Sequence, residues 1–157
     1  MTYMLNIERY TELLKKESIL KDQQKSLLFE NKKEFLELLS YGSHVESQIS
    51  YDQKNAYNSL IAEYLAKTMT PAKFRSKFLK IQREDGEAAT IIKNDLERLA
   101  TFSIDFKADE FSSLIQEIYD VSNLAFELGP KNGIPEDRFR DSIQEIYFKI
   151  QNFLNEE

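Results

Sequence analysis

Apolar side chains recur along this chain at intervals of three and four residues rather than two, the spacing that lines one face of an α-helix. The pattern predicts a first helix near 4–16, with Ile7, Tyr10 and Leu14 on one side, and a second near 22–41 carrying Leu28, Phe35 and Leu39, with Ser18 to Lys21 as the joint. Gly42-Ser43 reads as a helix C-cap and Gly42 to Ser50 as a polar connector, the best internal boundary. A third helix spans about 52–67, with Tyr57, Leu60, Ile61, Tyr64 and Leu65 inward. Thr70 then suits an N-cap, because its hydroxyl accepts an orphan backbone N–H while Pro71 at the first helical position has none to satisfy.

That fourth helix runs to about 84 with Phe74, Phe78 and Ile81 as its packing face, and Gly86 marks a break. Ala88, Ile91, Ile92, Leu96, Leu99 and Phe102 make a fifth helix, and Ser103 to Asp109 a short connector. Asp109 is placed to cap a sixth helix, the cleanest amphipathic run, on Phe111, Leu114, Ile115, Ile118, Val121, Ala125 and Leu128. Gly129-Pro130-Lys131-Asn132-Gly133 reads as a loop, and Pro135 at the first helical position starts a seventh helix with Phe139, Ile143, Ile146, Ile150 and Phe153 inward. The expected fold is all-α: an antiparallel bundle of six to seven helices, with residues 1–50 as an N-terminal helical hairpin packed on a bundle of 51–157.

Composition sharpens this picture at few points. With 157 residues, four Gly, three Pro and 12% aromatics without tryptophan, the chain has the length for one real core and Phe and Tyr to fill it. The absence of cysteine excludes disulfides and thiolate sites and fits a reducing, cytoplasmic compartment. Met1 to Lys16 lacks the apolar core of a signal segment, and no apolar run reaches membrane-spanning length, so no membrane partner is expected.

Charge is unevenly distributed. Lys67, Lys73, Arg75, Lys77, Lys80 and Arg83 lie in a stretch without a single acid, whereas Glu84 to Glu127 holds eleven acids against Lys93, Arg98 and Lys107. That local balance of −8 exceeds the −6 of the whole chain. Such a field attracts basic proteins and repels nucleic acid, so a nucleic-acid partner is not expected in spite of the basic strip.

Little in the chain carries catalytic chemistry. The one histidine, His44, falls in the polar connector as a surface residue; no glycine-rich phosphate loop or nucleophile elbow is present. Glu34 with Glu37, and Glu117 with Asp120, each set two acids three apart on one helix face, a pattern that also suits a carboxylate-bound Mg²⁺, but about 80 residues separate the pairs and they read as solvated surface. The chain is therefore read as non-enzymatic, without metal or cofactor, and as a protein-binding module. Asp105, Phe106, Asp109 and Glu110 offer an aromatic among acids, Phe106 being read as a core side chain and the acids around it as the exposed component.

Residues from about 57 to 154 resemble the colicin D immunity protein family. The resemblance is carried by the Tyr64-Leu-Ala-Lys-Thr-Met-Thr-Pro-Ala-Lys-Phe junction, the Phe78 to Arg83 continuation, the stretch Leu99-Ala-Thr-Phe-Ser-Ile-Asp-Phe-Lys-Ala-Asp, and Asn132-Gly-Ile-Pro-Glu-Asp-Arg-Phe-Arg-Asp-Ser-Ile. It implies a four-helix core, here with an N-terminal extension of about 50 residues. It implies also inhibition of a tRNA-cleaving toxin domain by acids that imitate tRNA phosphates, with Asp109 at the matching position and Asp105, Glu110 and Glu97 contributing nearby. Lys107 and Ile104 stand where the family pattern has acids. An adaptor that holds a protein in an apolar groove is the alternative reading.

Overall fold

The computed structural model describes residues 1–126 and 135–156; the expected loop at 129–133 and the expected end of the sixth helix at Leu128 lie outside them. The order is β1 (Thr2–Met4), α1 (Ile7–Asp22), α2 (Leu27–Glu30), α3 (Lys32–Asp52), α4 (Lys54–Leu65), α5 (Pro71–Lys93), α6 (Leu96–Ala100), β2 (Ser103–Asp105), α7 (Ala108–Phe126) and α8 (Glu136–Asn155). The fold is an all-α bundle, with eight helices among the described residues and one small ribbon. In that ribbon β1 and β2 pair antiparallel, Tyr3 opposite Ile104.

Two apolar clusters fill the interior. The first joins α4, the start of α5, α7 and α8 through Tyr57, Tyr64, Phe74, Phe78, Phe111 and Phe139, all essentially fully buried, with Ile118, Ile143 and Ile150 between them. Tyr64 and Phe74 stack at 4.7 Å, and Tyr57 meets Phe78 edge-on at 5.7 Å. Each such ring pair adds about 0.5–1.5 kcal/mol beyond the area it buries. The second cluster gathers β1, α1, α2, α3, the end of α5, α6 and β2 around Leu13, Val45, Ala89, Leu99 and Ile104. Tyr51 on α3 packs against both.

The inward faces of α4, α7 and α8 are those the spacing predicts: Tyr57, Leu60, Ile61 and Tyr64; Phe111, Leu114, Ile115 and Ile118; Phe139, Ile143, Ile146, Ile150 and Phe153. Thr70 caps α5 by accepting from Lys73 N at 3.2 Å. Pro135 stands as the N-cap of α8 rather than its first residue.

Boundaries in the N-terminal half differ from expectation. Ser18 to Lys21 is helix, and α1 ends instead where Gln24 adopts a left-handed φ of 58° and Lys25 N donates back to Leu20 O at 2.7 Å, the hydrogen bond of a Schellman turn. Asn31 restarts the chain as the cap of α3, accepting from Glu34 N. This restart rotates the buried face, so Leu27, Leu38, Val45 and Ile49 are inside, while Leu28 and Leu39 are exposed.

Gly42 to Ser50 is no connector. It continues α3 because Val45, Gln48 and Ile49 keep a buried stripe running through it, and the expected boundary at residue 50 falls inside the helix. A Cβ at Gly42 would stand 3.5 Å from the Lys93 side chain, which crosses there to reach Glu46 at 2.7 Å. That is ordinary van der Waals contact, so the ion pair packs over the glycine without depending on it. Gly86 does not break α5 either: buried positions on both sides, Phe78 and Ala89, outweigh its cost of about 1 kcal/mol relative to alanine. The expected fifth helix is divided at Asp95, whose carboxylate accepts from Glu97 N and Arg98 N to start α6. The expected 103–109 connector is half strand.

Candidate functional site

The proposed acidic site lies where β2 turns into α7. Ile104, fully buried, pins the strand, and Gln48 on α3 accepts from Asp105 N at 2.6 Å. The Asp105 carboxylate accepts from Lys107 N at 2.8 Å and so closes the turn; Asp109, expected as the cap, sits within the first turn of α7 beside Glu110. Carboxylates at that position are favoured by the helix dipole.

Phe106 is not a core residue: it is 59% exposed, its backbone N–H bound to Met1 O and its ring lying on Tyr3 at 5.0 Å. Tyr3 in turn meets the edge of His44, whose Nδ1 is 3.1 Å from an Asp109 carboxylate oxygen. His44 thus belongs to α3 and to this corner, half-buried rather than on a free connector. Burial, and then the charge of Asp109, push the Tyr3 hydroxyl above its ordinary pKa. Lys107 Nζ is held by the Glu156 carbonyl and lies over the Phe153 ring at 5.6 Å.

Asp105, Phe106, Asp109 and Glu110 are therefore contiguous. Glu97, exposed on α6, shares no polar contact with them among the described residues. Other acids of the stretch are spoken for: Glu117 pairs with Lys149, Asp95 with Arg98, Glu84 with Lys80. Glu34 and Glu37 are gathered by Arg9, with Lys16 also on Glu34, and form a salt-bridge network between α1 and α3.

One acid behaves differently from all of these. Asp85 is 8% exposed, and its Oδ2 accepts from the Tyr57 hydroxyl at 2.5 Å and, more loosely, from Ser50 Oγ at 3.4 Å. Burial holds its carboxyl above the ordinary aspartate range; the bonds from Tyr57 and Ser50 oppose that rise, and the charge of Glu84 adds to it. The Tyr57 hydroxyl is itself pushed far up, chiefly by burial and then by Asp85, so it stays a donor. Asp85 borders a polar cleft of about 190 Å³ lined by Glu46, Ser50, Tyr57, Gln82, Ser112 and Gln116. The arrangement is absent from the residues expected above, yet it has a sequence signal: Asp85 continues the Phe74, Phe78, Ile81 stripe and precedes Ala89, so an acid occupies a core-facing position.

Comparison with protein-family models, with curated proteins and with solved structures gives no match to this chain. Among the described residues no helix is long and apolar enough to cross a membrane.

Proposed function

We propose that this chain is a non-catalytic binding protein that docks the corner formed by Asp105, Phe106, Asp109 and Glu110 onto a basic surface of another protein. The observation that carries the reading is Phe106, an aromatic left 59% exposed between carboxylates on a rigidly bonded turn. Covering what remains exposed of such a ring contributes roughly 1–2 kcal/mol, while the surrounding acids set the approach and the register. The partner class, a nuclease-like toxin domain with a cationic cleft, comes from the resemblance to colicin D immunity proteins, and Glu97 belongs to the same proposal only through that resemblance.

The test compares capture from source cells at low salt by the wild-type chain and by Asp105→Lys/Asp109→Lys, with circular dichroism to check helicity. Retention of a basic protein that elutes steeply with salt from the wild type, and its loss from the double variant, supports the reading. Equal capture by both removes this corner as the interface.

A further inference from the structure

We propose that the Asp85 cleft is a socket for one arginine side chain of the basic partner; the inference rests on the binding role given to the acidic corner and extends it along α7.

Three observations converge on a guanidinium. Asp85 uses only Oδ2 for Tyr57 and Ser50, so Oδ1, which accepts no hydrogen bond from the described residues, is the oxygen left for the cleft. The remaining walls add acceptor oxygens: Ser112 Oγ, the Gln82 amide oxygen, and Gln116 Oε1, which accepts no hydrogen bond among the described residues while its nitrogen donates to Asp120 at 3.0 Å. A guanidinium brings five N–H donors and no acceptor, the complement of such a set.

Size favours a small guest. At about 190 Å³ the cleft is below the roughly 300–1,000 Å³ of ordinary small-molecule pockets, which fits a side-chain head group rather than a whole metabolite. The Glu46 carboxylate at the rim is engaged by Lys93, so Asp85 is the acid that selects charge.

Position ties the socket to the corner. Asp109, Ser112 and Gln116 fall at i, i+3 and i+7 of α7, one stripe of the helix that leads from the acidic corner to the cleft over about 10 Å at 1.5 Å per residue. An extended basic segment laid along that stripe meets Asp109 first and Asp85 at its far end.

The experiment uses the full chain and three small probes: acetyl-arginine amide, acetyl-citrulline amide as its neutral isostere, and acetyl-lysine amide, followed by two-dimensional amide NMR. Acetyl-arginine amide shifts the Gly86 backbone and the Gln82 and Gln116 side-chain amides with a dissociation constant on the order of millimolar, and Asp85→Asn weakens it about tenfold or more. Gln116→Leu, which leaves the Asp85 to Tyr57 bond untouched, weakens it as well and guards against a folding defect in the first variant. No shift with acetyl-arginine amide, equal shifts with the citrulline compound, or tighter binding of the lysine compound overturns the socket. Because these probes do not need Asp105 or Asp109, a failure here leaves the corner test standing, and a failure of that test leaves these shifts to be judged on their own.

Discussion

Replacing Tyr57 with phenylalanine isolates one atom of the buried pair. The ring and its contacts with Phe78 and Phe111 are retained, and only the hydroxyl that donates to Asp85 at 2.5 Å is lost. A hydrogen bond to a charged group contributes about 1.5–3 kcal/mol, and the short distance places this one in the charge-assisted class. The expected loss for Tyr57→Phe at pH 7 is therefore about 2 kcal/mol, or roughly 4–8 °C in Tm for a chain of this size.

The sign of its pH dependence follows from Asp85. Its folded-state pKa is raised, so between the unfolded value and the folded one the native state holds the extra proton. Stability from this group is complete below the unfolded pKa, near 3.9 for an aspartate, and is lost as pH rises through the folded value. Tyr57 stabilises the carboxylate form, so its removal raises the folded pKa further and prolongs the decline. The deficit of Tyr57→Phe widens from pH 4 to pH 7. Urea denaturation followed by circular dichroism at both pH values measures it; a deficit below about 0.5 kcal/mol at pH 7, where a full charged-group bond is expected, or one of equal size at both values, refutes the account.

Two further substitutions test the helix assignments. Gly86→Ala places a methyl group where no atom lies within 4 Å, in mid-helix, and raises stability by about 0.5–1 kcal/mol in thermal melts; a loss there would mean that the glycine is not helical. Thr70→Ala removes the cap on Lys73 N and lowers stability by about 1 kcal/mol, an effect that Thr70→Ser largely avoids.

The C-terminal half was open to sequence reasoning because each of its inward faces repeats strictly at three and four residues and is bounded by strong local signals, Thr70-Pro71 and Pro135. The remaining boundaries resisted because their signals are weak or masked: Gln24 takes a left-handed turn usually left to glycine, and Asn31 and Asp95, good caps in themselves, begin helices inside apparently continuous runs. Conversely Gly42 and Gly86 look like stops, but tertiary packing on neighbouring residues carries the helices through them. The corner residues Asp105, Asp109 and Glu110 were foreseeable as a sequence cluster. Exposure of Phe106 was not, since it depends on Met1 and Tyr3, a hundred residues away. The link between Tyr57 and Asp85 likewise joins two helices and has no local trace beyond an acid on an apolar stripe.

Helices α3 and α5 each feed both apolar clusters, Tyr51 bridging them on one and Phe74, Phe78 and Ala89 dividing between them on the other. Severing the chain near residue 50 would strip α3 from one half and strand Ala89, Leu99 and Ile104 in water on the other. The two rods thus tie the aromatic core to the cluster behind the ribbon, and the corner holding Phe106 is joined to both, through Ile104 on one side and through Lys107 over the Phe153 ring on the other.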